Sequence, residues 1–137
     1  MKKAVLFLIL GTLAFHAAAQ TPKESYQLST HILDIQKGSP APGVPILLYR
    51  WNPSDETWAQ IDEGVTDRNG RIADFLSHKN NNEGIYKLRF ETAPYFAGQK
   101  EKSSYPFIEV IFQIRGNGHY HIPLTVSANG NSTYRGN

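Results

Sequence analysis

The 137-residue sequence has no cysteine and one methionine, Met1. Without cysteine it can build neither a disulfide framework nor a thiol nucleophile, and it offers no thiolate to a metal or to lipid modification. Long apolar runs are missing too. The longest, Ala4 to Phe15, covers twelve residues, too few to cross a hydrocarbon layer of roughly 30 Å as a helix. No Gly-x-Ser-x-Gly elbow surrounds Ser127 or any other serine, which argues against a serine-hydrolase triad. A phosphate-cradling glycine loop is likewise absent.

What is present begins with a leader. Lys2 and Lys3 precede the apolar run, and Ala17-Ala18-Ala19 supplies small residues before Gln20. This is the pattern of a secretory signal. Residues 1–19 are therefore expected to be removed, leaving one domain over residues 20–137 that is exported to the periplasm and free of the membrane. Losing Lys2 and Lys3 lowers Lys plus Arg from 14 to 12, equal to the 12 Asp plus Glu. A neutral chain with no basic run lacks the electrostatic footprint of a nucleic-acid binder. The remaining length suffices for one core.

Short runs separated by turn clusters predict strands over 26–35, 44–51, 57–66, 71–76, 85–91, 106–114, 119–127 and 132–135. In the first, Leu28, His31 and Leu33 are candidates for inward or site-facing positions. Ile85 to Glu91 alternates cleanly, with Tyr86, Leu88 and Phe90 on one face. Lys37 to Gly43 and Asp67 to Gly70 read as turns. Thr92 to Gln99 can form one short helix, with Thr92 as N-cap and Pro94 in the first turn. So many short strands in one small domain predict an all-β sandwich of two packed antiparallel sheets.

The chemistry concentrates at the carboxyl end. Of five histidines, His119 and His121 lie in the last nineteen residues with Tyr134 and Arg135. Two residues apart on a strand, the two imidazoles share a face. Three readings are open: a partly exposed edge pair, two ligands of a zinc site with His31 as the third, or acid–base catalysis near neutral pH. His31 is a polar residue in an apolar strand, and Arg71 follows the Asn69-Gly70 turn. Each has an ordinary alternative, a core histidine bonded to backbone or a solvated turn arginine. Asn131-Ser132-Thr133 fits the glycosylation acceptor pattern, a short match expected by chance.

HYHIPLTVS followed by STYRGN resembles the carboxyl-terminal signature of the transthyretin-related 5-hydroxyisourate hydrolases. LSTHILDIQKGSPAPGVPILLYR is similar to that family's first hairpin, and TDRNGR, Thr66 to Arg71, to the turn bearing its arginine. The resemblance runs in order from about Leu28 to Asn137. It implies a transthyretin-like sandwich and hydrolysis of 5-hydroxyisourate in urate degradation, without metal or organic cofactor. His31, Arg71 and His121 are the implied catalytic residues, and His31, Arg71 and Tyr134 the implied substrate contacts. His119 and Ser127 are expected to support these from behind. The resemblance also implies a homotetramer, a dimer of dimers with sites between dimers, for which Pro123 to Val126 would suit an interface. The sequence departs from the family pattern at Asn137, where serine is usual, and at Thr125, Val126 and Ala128. A non-catalytic small-ligand carrier on the same scaffold and an exported zinc-binding module are the alternatives.

Overall fold

A computed structural model describes residues 24–136; the expected signal segment and Asn137 lie outside the described residues. Among the described residues nine strands form two sheets, accompanied by one helix: β1 Tyr26–Asp34, β2 Ser39–Pro40, β3 Pro45–Asn52, β4 Thr57–Val65, β5 Arg71–Ser77, β6 Gly84–Phe90, α1 Thr92–Ala97, β7 Ile108–Ile114, β8 Tyr120–Ser127 and β9 Gly130–Thr133. One sheet runs β2-β1-β8-β9, with β5 also paired to β1; the other runs β4-β3-β6-β7. The sandwich expected from the sequence is thus present. One pairing differs from the all-antiparallel expectation, because β1 and β8 run parallel from Leu28↔Tyr120 to Asp34↔Val126.

Between the sheets lies an aliphatic and aromatic core. Tyr86, Leu88 and Phe90 of β6, Leu28 and Ile32 of β1, Ile46 and Leu48 of β3 and Leu124 and Val126 of β8 are all fully buried. Burying each such side chain contributes about 1.5–3 kcal/mol. In β1 the buried residues at 28, 30, 32 and 34 alternate with half-buried Ser29, His31 and Leu33. Leu28 is therefore core, whereas Leu33, expected beside it, sits with His31 on the opposite face. Within Pro123 to Val126, Leu124 and Val126 are buried in the chain's own core, while Pro123 and half-buried Thr125 alternate with them on the face of His121.

Three local features escaped the sequence reading. Ser39–Pro40, inside the expected turn, makes a two-residue strand against Leu33 and Asp34. The N-cap position of α1 is Glu91 without a side-chain cap, while Thr92 lies inside the helix, buried, with its hydroxyl unpartnered. In β5 the register against β1 shifts between Leu28 and Thr30, so Ile72 and Phe75, three apart, both face the core. A bulge of this kind re-aims side chains that strict alternation would turn outward.

Candidate active site

Arg71 is placed by the turn before it. Asp67 Oδ1 accepts the backbone N–H groups of Asn69 and Arg71 at 2.8 and 2.9 Å, and the Gly70 N–H closes onto the Asp67 carbonyl at 2.9 Å. Gly70 has φ 69° and presses on β1, where its carbonyl accepts the Ile32 N–H at 2.9 Å. A Cβ there would stand 2.6 Å from the Ile32 carbonyl oxygen. Only glycine satisfies both the positive φ and this approach. The turn therefore seats Arg71 directly opposite His31 in the β1–β5 ladder.

The parallel β1–β8 register sets Ser29 against His121 and His31 against Pro123. His31 and His121 consequently share one sheet face, their rings stacked with centroids 6.4 Å apart and planes inclined by 23°. Between the strands stands the Ser29 hydroxyl, 2.8 Å from His121 Nδ1 and 2.9 Å from His119 Nε2. The second nitrogen of His119, Nδ1, reaches the Tyr26 carbonyl at 3.2 Å. Burial lowers the pKa of His31 and of His121 below the ordinary histidine value. The Arg71 guanidinium lowers both further; Asp67 partly offsets this at His31, while His31 and His119 add to it at His121. Two neutral imidazoles beside a permanent cation are the result, a set able to accept a proton and to stabilise a developing oxyanion.

The chain's end is stitched to the same face. β9 pairs with β8 as far as Leu124↔Thr133, and the pairing resumes at His121↔Gly136 with the same offset. The interruption falls at Pro123, which has no N–H to give. Tyr134 thereby falls opposite Pro123, on the histidine face, with its side chain 62% exposed. The Gly136 N–H donates to the His121 carbonyl at 2.8 Å, and a Cβ on Gly136 would stand 2.7 Å from His121 Cδ2. Arg135 turns the other way and lies 4.1 Å from the centroid of the Tyr120 ring.

Of the residues singled out from sequence, His31, Arg71 and His121 come together, with His119 behind His121 and Tyr134 on the rim. Ser127 does not join them. It is six residues along β8 from His121, about 20 Å at the usual strand rise, with its hydroxyl turned to Gly130 across the β8–β9 turn. Ser29 and Gly136 were missed. Ser29 shares the face of His31 by simple alternation, but its bridge between two β8 histidines depends on a pairing of residues some ninety apart. No group of three His, Asp or Glu among the described residues is placed to hold a metal ion.

Comparison with known proteins places the chain in a family. The model of the HIUase/Transthyretin family matches residues 28–136. A 5-hydroxyisourate hydrolase of Salmonella dublin is 39% identical over 137 residues, covering 99% of each chain. The solved 5-hydroxyisourate hydrolase of Klebsiella pneumoniae superposes with a TM-score of 0.69 at 37% identity, covering 80% of this chain and 98% of that one. Sea bream transthyretin in complex with thyroxine superposes with a TM-score of 0.75 at 31% identity, over 80% of this chain and 93% of that one. The chain belongs to the HIUase/Transthyretin family.

Proposed function

We propose that the protein hydrolyses 5-hydroxyisourate to 2-oxo-4-hydroxy-4-carboxy-5-ureidoimidazoline, with His31, Arg71 and His121 as the catalytic residues. The observation that carries this reading is the meeting of two imidazoles, both with lowered pKa, and one guanidinium on a single sheet face. An imidazole takes a proton from water as the water oxygen bonds to a ring carbonyl carbon. Arg71 and the second imidazole stabilise the charge on the carbonyl oxygen. The ring C–N bond then breaks, the carbonyl becomes a carboxylate, and the departing nitrogen takes the proton back from the imidazole. Tyr134, on the rim, contacts the substrate.

In one chain this face is open, with Arg71 and Tyr134 exposed. We infer that a second copy closes it, in a homotetramer built as a dimer of dimers. A carrier role is the second reading, favoured by the likeness to a thyroxine-bound transthyretin. One experiment separates the two: 5-hydroxyisourate generated by urate oxidase in the cuvette, with and without chelator-treated protein. Accelerated decay at the full rate after chelation supports the hydrolase. Decay at the spontaneous rate, with saturable ligand binding, supports the carrier.

Two further outcomes follow from this reading, and a third tests the export that we propose from the leader sequence. Because both imidazoles titrate below the ordinary value of about 6.5, their neutral, proton-accepting forms persist to lower pH. The pH profile of kcat/KM should therefore rise through an inflection below that value and stay level above it. An inflection above it contradicts the neutral-base assignment. Arg71→Lys should lower kcat/KM by about 10–100-fold with circular dichroism unchanged, since an ammonium keeps the charge but not the paired coplanar donors. A fully active lysine variant makes Arg71 a solvated turn residue. Export implies a mature chain beginning at Gln20, which mass spectrometry of the periplasmic fraction tests; recovery of residues 1–19 in the mature protein contradicts it.

A further inference from the structure

The contacts around Ser29 have a direction, and one carbonyl sets it. The Tyr26 carbonyl can only accept, so His119 Nδ1, 3.2 Å away, carries a proton. In neutral His119 the other nitrogen, Nε2, is then a bare lone pair, and it accepts the Ser29 hydroxyl proton across 2.9 Å. With its one proton committed, Ser29 Oγ can only accept from His121 Nδ1 at 2.8 Å. His121 therefore holds its proton on Nδ1, and a neutral ring protonated there has Nε2 free. Reversing any one bond would leave two donors, or two acceptors, facing each other.

We propose that Ser29 and His119 are positioning residues that hold His121 as its Nδ1–H tautomer, making Nε2 of His121 the atom that takes the proton from water. This rests on the hydrolase reading above and adds to it which histidine, and which nitrogen, is the base. Gly136 serves the same end: with hydrogen in place of a side chain, it lets the terminal segment lie against the His121 ring and restrict its rotation. Packing and a directed hydrogen bond together fix both ring orientation and tautomer. His31 lacks such a chain among the described residues, which suits it to the other role, donor to the developing oxyanion.

The test measures the tautomer itself. In the full chain labelled with 15N-histidine, at a pH where the imidazoles are neutral, long-range proton–nitrogen correlations distinguish a protonated from a bare ring nitrogen. The wild type should have His121 protonated at Nδ1 and bare at Nε2. Ser29→Ala should shift His121 toward the Nε2–H form and lower kcat about tenfold, the value of one net hydrogen bond, with KM within about twofold. Ser29→Thr, which keeps the hydroxyl, should restore both tautomer and rate. His121 found as Nε2–H in the wild type, or unmoved by Ser29→Ala, overturns the proposal. The tautomer is read without substrate, so a wild type that carries the Nδ1 proton yet turns over no 5-hydroxyisourate counts against the hydrolase reading alone.

Discussion

Replacing His31 or His121 by alanine lowers the rate of 5-hydroxyisourate hydrolysis by about 10²–10⁴-fold, the usual share of a positioned acid or base. Both side chains point away from the core, which lies on the alternate residues Thr30, Ile32, Tyr120 and Ile122. Their loss should therefore leave the fold and its melting temperature nearly unchanged. The rings also share Arg71 as a neighbour and lie 6.4 Å apart, so the double variant should fall far short of the product of the single losses. His119→Ala should cost less than either, since it touches His121 only through Ser29. If His119→Ala is as damaging as His121→Ala while His31→Ala is silent, the roles are misassigned.

Cutting the chain after Thr133 abolishes turnover while costing little stability. Among its described residues the segment removed carries no core side chain, but it supplies Tyr134 on the histidine face and the Gly136 N–H that binds the His121 carbonyl. A point variant isolates the second contribution. Gly136→Ala introduces a Cβ 2.7 Å from His121 Cδ2, closer than carbon atoms approach. Either the ring turns, breaking its 2.8 Å contact with Ser29, or the terminal segment lifts away. Turnover should fall about 100-fold by either route, since a displacement of about 1 Å in a catalytic group costs that much. A truncated protein at the full rate removes the terminus from the site and Tyr134 from the substrate contacts.

Much of this architecture is visible in local pattern. In β6 the alternation alone names Tyr86, Leu88 and Phe90 as core, and all three are fully buried. The turn before Arg71 is equally plain, because Asp67, Asn69 and Gly70 each do in the fold what their chemistry allows. What stayed hidden depends on strands far apart in sequence. The parallel match of β1 with β8 brings Ser29 between His119 and His121, and no periodicity within either strand encodes that register. The β5 bulge overrides alternation at Phe75, and burial draws Thr92 into the helix rather than leaving it as a cap. Ser127 misled in the opposite way. It shares a strand and a face with His121, but six residues of extended chain carry it to the far end of the sheet.

The central claim is that one open sheet face, carrying His31, Arg71 and His121, performs the hydrolysis. Its most direct measurement is the first-order decay of 5-hydroxyisourate, freshly generated by urate oxidase, with wild-type protein and the His31→Ala/His121→Ala double variant at equal concentration. The account predicts acceleration proportional to wild-type concentration and, for the double variant, decay close to the spontaneous rate with its circular dichroism intact. Equal acceleration by both proteins would place the chemistry elsewhere, and spontaneous decay in both would contradict the hydrolase itself.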